Sequence, residues 1–114
     1  MLLLTKDLIN RLPPIQSGAK NALLKLFLPW SNWTWYASEA SAVLPDGSEV
    51  PLTDPAATDR VDVLFFGVVE GFETEYGYFV LSELSELRGP GGLRIERDRY
   101  WTPLPLAECA KLSA

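Results

Sequence analysis

The densest group of residues that could do chemistry is a set of three carboxylates, Glu70, Glu73 and Glu75. Two carboxylates held close together can act as a general acid and base or bind a hard cation such as Ca²⁺. An EF-hand calcium loop places its oxygen ligands at regular spacing, and these three residues lack that spacing. We therefore favour a solvated turn at the end of a hairpin as the interpretation of this cluster.

Histidine is absent from the chain, and Cys109 is its one cysteine. This composition excludes cysteine–histidine zinc sites, nucleophile–histidine pairs and acid–base chemistry by imidazole. We therefore expect a protein that is not an enzyme and that carries no metal or other cofactor. A single cysteine cannot form an internal disulfide, which is typical of a protein in a reducing cytoplasm.

An aromatic segment is the second group with chemical potential. Trp30, Trp33, Trp35 and Tyr36 could form a platform on which the bases of single-stranded nucleic acid stack. That function also needs a basic groove for the phosphates, and the chain is acidic overall. We expect Trp33 and Trp35 to share one face of a strand in the core. Trp30 lies in a predicted turn, and we expect it to be the exposed one.

The segment 89–92, Gly-Pro-Gly-Gly, is similar in composition to phosphate-binding loops. It lacks the Gly-Lys-Ser/Thr ending of a P-loop and follows a predicted helix instead of preceding one, so we interpret it as a plain loop. After it, three arginines interleave with two acids: Arg94, Arg97 and Arg99 with Glu96 and Asp98. For this segment we favour a charged strand edge that discourages unwanted pairing over an anion site.

Charge is distributed unevenly along the chain, although the net charge is only −5. Residues 39–86 contain a single basic residue, Arg60, and eleven acids: Glu39, Asp46, Glu49, Asp54, Asp59, Asp62, Glu70, Glu73, Glu75, Glu83 and Glu86. Such a surface presents negative charge as a nucleic-acid backbone does, and is steered toward basic clefts of other proteins. The alternative is ordinary acidic solubility, which requires no partner.

The first half of the chain predicts one helix and two strands. Thr5 is a good helix N-cap, and apolar residues at helical spacing predict a helix over 6–12 that ends before Pro13. Residues 22–28 suit a helix by propensity and a buried strand by length, and we favour the strand. Residues 33–36 predict a further strand because they are aromatic and β-branched. Segment 41–60 is rich in turn residues, with a small hairpin at Asp46-Gly47.

The second half predicts a central strand, 61–72, with apolar residues on both faces. Residues 73–77 are predicted to turn the chain into a strand over 78–81, and Ser82 to cap a helix over 83–88. A late strand over 94–101 and a helix over 103–112 complete the chain. The elements predict one α+β domain over 1–114, with an antiparallel sheet of four or five strands and short helices packed against it.

Three segments resemble a known family once the strands are placed. They are 31–36 (SNWTWY), 64–71 running on to 77–79 (LFFGVVEG and GYF), and 88–98 (RGPGGLRIERD). In this order they resemble a bacterial domain-of-unknown-function family of about this length that is often found on plasmids, phages and integrated elements. The resemblance covers essentially the whole chain. It implies a mobile-element setting and no assigned activity, so no catalytic residue is implied.

From charge and resemblance together we expect an accessory protein whose acidic surface binds and inhibits a basic, nucleic-acid-handling host or defence protein. The residues expected to bind the partner are Asp54, Asp59, Asp62, Glu70, Glu73 and Glu75, with Trp30 as an aromatic anchor. The alternative is a small protein that binds single-stranded nucleic acid through the aromatic strand and residues 88–99. No apolar stretch approaches the ~20 residues of a membrane helix, so we expect no membrane partner. We expect the protein to be cytoplasmic, as a monomer or small homo-oligomer.

Overall fold

The computed structural model describes residues 2–111. Its first element is helix α1 (Lys6–Arg11), which begins where the sequence predicts. The Thr5 hydroxyl accepts a hydrogen bond from the Leu8 backbone N–H at 3.2 Å, so it satisfies one of the free donors at the helix start. The Leu8 side chain is buried in the main core, and α1 is thereby fixed to the domain.

The strands form one large sheet and one small one. Strand bounds are β1 (Asn21–Ala22), β2 (Leu24–Phe27), β3 (Thr34–Val43), β4 (Glu49–Pro51), β5 (Asp62–Glu70), β6 (Thr74–Val80), β7 (Glu96–Arg97) and β8 (Leu104–Pro105). The large sheet is antiparallel with the order β6-β5-β3-β2-β7, and β4 pairs with the far end of β3. The small sheet consists of β1 and β8. The described residues therefore hold six strands in the large sheet, more than the four or five predicted.

One face of the large sheet carries the main core. Phe65 on β5 stacks on Phe79 of β6 with ring centroids 5.4 Å apart, and both side chains are buried. Leucines of β2 and Trp35 of β3 extend this layer, and Leu84 of helix α2 (Leu81–Glu86) packs onto it. Alternation along each strand sends the intervening side chains to the opposite face, which we call the second face.

A β-bulge in β3 keeps its alternation in register with the core. The pairing with β5 shifts between Ala37 and Glu39, so Ser38 is the extra residue. As a result Ala37 and Ala40 both face the main core, while Glu39 points to the second face with Tyr36. The bulge thus determines which face receives the one carboxylate in the middle of the sheet.

The second face is only partly covered. Residues 13–19 cross over β3, and the β1–β8 ribbon with helix α3 (Leu106–Cys109) packs beside them. A smaller cluster that includes Val68, Leu106 and Cys109 is buried there. Toward β6 no described segment covers this face, and Tyr76 and Tyr78 are therefore more than half exposed.

Several sequence-based boundaries were wrong. β3 continues through Val43 into the segment predicted as turns, although the predicted hairpin at Asp46-Gly47 is present between β3 and β4. β6 begins at Thr74, so the residues predicted as a turn after β5 are mostly strand. α2 begins at Leu81 with no side-chain cap of its own, and Ser82 lies inside its first turn.

The C-terminal elements are also shorter than predicted. The late strand is the two-residue β7, and the last helix is the four-residue α3. Leu112, the predicted end of that helix, lies outside the described residues.

Candidate interaction surface

Strand β6 forms one edge of the large sheet. In the part of the chain that the structure describes, it pairs with β5 alone, from Leu64↔Val80 to Glu70↔Thr74 without interruption. In the hairpin that joins the two strands, the Gly71 N–H donates to the Glu73 carbonyl at 3.0 Å. Hydrogen-bonded pairs alternate along an antiparallel ladder, so Glu75, Gly77 and Phe79 bond to β5. The backbone groups of Tyr76 and Tyr78 therefore face outward.

The side chains of this edge differ between its two faces. Tyr76 and Tyr78 lie on the second face and are 56% and 58% exposed. The Tyr78 ring lies against Phe66 of β5 with centroids 5.1 Å apart. Glu75 lies on the other face, where α2 packs against β5 and β6. The edge thus carries an aromatic pair on one face and a carboxylate on the other.

A groove of about 550 Å³ opens on the second face beside the tyrosine pair. Phe66, Tyr76 and Tyr78 form its sheet side, and Leu106 at the start of α3 forms the opposite wall. Glu39 lines it from the middle of the sheet. The groove is mostly apolar, and Tyr76 and Tyr78 of the edge strand β6 are among its lining residues.

The Glu39 carboxylate, 5% exposed, is already engaged by its own chain. Its two oxygens accept from the backbone N–H groups of Gln16, Gly18 and Ala19 at 2.8–3.0 Å, and from the Ser17 hydroxyl at 3.0 Å. Gln16 and Gly18 have φ of 69° and 81°, and this backbone shape turns successive N–H groups toward one acceptor. Glu39 therefore fastens residues 16–19 over β3 as a structural anchor.

Carboxylates line the β6 edge and the helix that follows it. Residues 61–87 contain no lysine or arginine. Four exposed acids lie on the hairpin, β6 and α2: Glu73, Glu75, Glu83 and Glu86. We call these four side chains the edge acids. They give this side of the domain negative charge, and β5, β6 and α2 themselves carry no cation. The nearest arginines lie beside α2: Arg88 donates to the Ser85 carbonyl, and Arg60 and Arg94 line a pocket with Leu81 and Ser85.

The six acids predicted to bind a partner do not share one surface. Asp54, Asp59 and Asp62 lie before or at the start of β5, whereas Glu73 and Glu75 follow its end. A nine-residue strand spans about 26 Å between its ends. Asp54 caps the 3₁₀ turn Pro55–Asp59 by accepting from the Ala56 N–H at 2.8 Å. The acids therefore form two groups at opposite ends of the sheet.

Two of these acids have structural environments. Glu70 is 8% exposed and faces the small core cluster of the second face. Asp62 accepts from the N–H and hydroxyl of Ser82 and so supplies the start of α2 with the acceptor its own cap position lacks. Burial alone would raise the pKa of Asp62, but the hydrogen bonds from Ser82 and Val63 outweigh it and hold the pKa below its usual value.

The predicted aromatic platform lies mostly inside the protein. Trp33 and Trp35 are on one side as predicted, 5.8 Å apart, and Trp35 is buried. Trp30, predicted to be exposed, is half-buried because its ring packs on Gly89, where a Cβ atom would lie 2.3 Å from Cδ2 of the indole. The exposed aromatic groups are instead Phe72, Tyr76, Tyr78 and Tyr100. The sequence signal that could have identified Tyr76 and Tyr78 as exposed was their alternation with Glu75 and Phe79 in β6.

Two potential nucleophiles of the second face are neutral at neutral pH. Burial, reinforced by the negative charge of Glu70, raises the pKa of Tyr36 to about 12. The same two causes raise the pKa of the Cys109 thiol to about 11. Both groups therefore stay protonated. Among residues 2–111 no three His, Cys, Asp or Glu side chains come together as metal ligands.

A second, polar groove of about 540 Å³ lies at the opposite edge of the sheet, across β2 and β7. Lys25, Arg97 and Arg99 line it together with Tyr100, which is 88% exposed. The Lys25 ammonium is 3.7 Å from the Asp98 carboxylate and 5.4 Å from the centre of the Trp101 ring. The cations of this groove are thus interleaved with acids, as the sequence indicates.

Comparison with known proteins places the chain in a family. The match covers residues 4–113, and the chain belongs to the family described as proteins of unknown function, DUF2958. This confirms the resemblance to a domain-of-unknown-function family. No curated protein and no solved structure matches the chain. Within residues 2–111 no helix has the length and apolar character to span a membrane.

Proposed function

We propose that the protein is a non-enzymatic interaction protein whose edge acids bind a basic surface on a partner protein. The observation that carries the proposal is the charge of the β5–β6–α2 side: four exposed carboxylates and no lysine or arginine over residues 61–87. Such a surface is steered toward a basic cleft, and a complementary pairing of charge raises the association rate and selects the partner.

The partner in this proposal is a protein that handles nucleic acid, such as a nuclease or a defence complex. Its cleft is basic because it binds phosphates, and a carboxylate surface competes for the same cations. A plasmid or phage setting, which the family resemblance implies, would give a small protein that blocks such an enzyme a use. Phe72 and the tyrosine pair of β6 replace Trp30 as the aromatic groups that this surface offers.

The test compares two variants with the same net charge. The edge variant replaces the four edge acids by glutamine. The distal variant replaces the acids around β4, Asp46, Asp54 and Asp59 by asparagine and Glu49 by glutamine. Each is used as bait in host lysate at about 0.01 M and 0.15 M salt, between which the Debye length falls from about 30 Å to 8 Å.

We expect the wild type and the distal variant to retain a nucleic-acid-handling protein at low salt, and the edge variant to lose it. Nuclease assays with the identified partner should show inhibition by the wild type and none by the edge variant. Equal retention by all three baits, or a retained enzyme that stays fully active, would contradict the proposal.

The polar groove at β2 and β7 supports a second candidate, a protein that binds single-stranded nucleic acid. Three cations and the exposed Tyr100 ring are together there, which is the combination that phosphate contacts and base stacking require. Titration with oligothymidine at low salt, followed by tryptophan fluorescence, tests it. Binding that is lost in a Tyr100→Ala and Arg99→Gln variant favours this candidate, and no binding by the wild type removes it.

A further inference from the structure

We propose that the outward edge of β6 accepts an extended basic strand from the partner, which extends the large sheet by one strand. This inference rests on the proposed function and names how the partner is held. The outward N–H and C=O groups of Tyr76 and Tyr78 have the spacing of a hydrogen-bonding edge, and an incoming strand can pair with both residues. Main-chain hydrogen bonds then supply affinity, and alternate side chains supply specificity.

Protection against strand pairing is weak at this edge. Exposed edges are usually blocked by lysine, by proline, by a bulge or by shortness. β6 has seven residues, contains neither lysine nor proline, and pairs with β5 in an unbroken register. Gly77 at its centre has no atom within 4 Å of the position where a Cβ would lie, so the face of β6 that carries Glu75 is uncovered at this point.

Charge identifies the occupant as a basic strand instead of a second copy of the chain. Pairing two β6 edges would place two sets of edge acids side by side, and like charges at a desolvated interface repel each other. A strand that carries lysine or arginine gains from the same carboxylates. The acids therefore protect the edge against self-pairing while leaving it open to a partner of opposite charge.

The two faces of β6 specify the pattern of the incoming strand. Residues opposite each other in a ladder place their side chains on the same face. Partner residues opposite Tyr76 and Tyr78 therefore extend over the second face, beside the apolar groove at Phe66 and Leu106. The intervening residues lie on the face that carries Glu75 and α2. The matching strand alternates apolar with basic residues.

The experiment uses the full chain and three labelled seven-residue peptides that alternate valine with lysine, matched to the length of β6. The first is unmodified, the second is N-methylated at its valines and the third at its lysines. In the proposed register the incoming strand is antiparallel to β6, with its valines opposite Tyr76 and Tyr78. The valine N–H groups then point to β6, and the lysine N–H groups point away. All three peptides have the same charge, so fluorescence anisotropy separates strand pairing from simple attraction.

We expect valine methylation to weaken binding at least about tenfold, because it removes the hydrogen bonds to the edge, and lysine methylation to leave binding unchanged. Equal binding of all three peptides, or no binding of the unmodified one at low salt, overturns strand addition. Equal binding that still falls with salt and in the edge variant leaves the charge-based function standing. Peptide binding that depends on valine methylation but is unchanged by salt and in the edge variant overturns the choice of a basic partner, and with it the proposed function.

A substitution in the protein tests the same contact from the other side. Tyr78→Pro removes an outward N–H without removing any hydrogen bond to β5, whereas Tyr78→Thr keeps that N–H and also replaces the ring by a small side chain. We expect the proline variant to lose the unmodified peptide and the threonine variant to retain it. Circular dichroism checks that both fold, and the peptide comparison in the wild type remains decisive if the proline variant does not.

Discussion

At the scale of single residues, Glu39 joins the loop 16–19 to the middle of the sheet. Its carboxylate takes hydrogen bonds from residues 16–19, and this attachment fixes one wall of the groove. The residue itself was visible in the sequence only as one of eleven acids. Its role depends on the bulge at Ser38 and on a loop about twenty residues earlier. No local sequence pattern predicts that this loop contacts Glu39.

We predict that Glu39→Gln lowers the free energy of unfolding by about 2–3 kcal/mol, because an amide nitrogen cannot accept the bonds that a carboxylate oxygen accepts. Urea denaturation followed by tryptophan fluorescence measures the change. Glu49→Gln on the neighbouring β4, which is exposed, serves as the matched control and should change stability by less than about 0.5 kcal/mol. A loss no larger than that of the control would show that residues 16–19 hold their place without Glu39.

A pair of glycines that face each other across β5 and β6 gives a second residue-level prediction. At Gly67 a Cβ atom would lie 1.7 Å from the Tyr36 carbonyl oxygen, whereas at Gly77, its pairing partner, nothing lies within 4 Å. Gly67→Ala should therefore destabilise the protein by about 3 kcal/mol or prevent folding, since backbone cannot move aside like a side chain. Gly77→Ala should change the free energy of unfolding by less than about 1 kcal/mol. Similar unfolding midpoints for the two variants would contradict this close approach of β3 and β5.

At the scale of elements, strand β6 shows what limited the sequence-based interpretation. Its polar start, preceded by Glu73, resembles a turn because an edge strand with exposed side chains lacks the apolar run of a buried strand. β5, with apolar residues on both faces, was predicted almost to its ends. The helix after β6 was predicted within two residues, but its cap was not, since Asp62 reaches Ser82 from twenty residues away.

We predict that Asp62→Asn destabilises the protein by about 1 kcal/mol at neutral pH, through weaker support for the start of α2. The pKa of Asp62 is held below its usual value in the folded state, so its contribution is present above the unfolded pKa and is lost as pH falls through the folded pKa. The difference between wild type and variant should therefore shrink in acid, below about pH 4.

Urea denaturation at pH 7 and below about pH 4 measures this difference. Asp59→Asn is the matched control, because Asp59 is exposed and lies close to Asp62 in the chain. An Asp62 effect that is independent of pH would contradict hydrogen bonding to the carboxylate as the cause of its lowered pKa.

At the scale of the whole molecule, the arrangement of charge was only partly visible in the sequence. The acidic middle segment was evident, but its division into two ends separated by the length of β5 depends on the strand order. The edge acids lie at both ends of β6: Glu73 and Glu75 near the hairpin, and Glu83 and Glu86 on α2, whose first turn bonds to Asp62. The aromatic pair beside them emerged from the edge position of β6.

We predict that the edge variant self-associates at lower concentrations than the wild type, because removing the charge leaves an open strand edge without protection. The distal variant has the same net charge and should have the same mass as the wild type at each concentration. Size-exclusion chromatography with light scattering measures the masses. Monomers for both variants would show that the edge acids are not what keeps two β6 strands apart.

The two-residue pairing of β1 with β8 has a consequence for how the domain opens. It joins Ala22 to Leu104, far apart in the chain, and with α3 it seals Cys109 from solvent. Such a short ladder is a low-energy unit of local unfolding, so it should separate long before the large sheet does. A thiol reagent can reach Cys109 only in that opened state. Its labelling rate in native buffer should therefore exceed the rate set by global unfolding. The labelling rate of Cys109 then measures local opening of the second face.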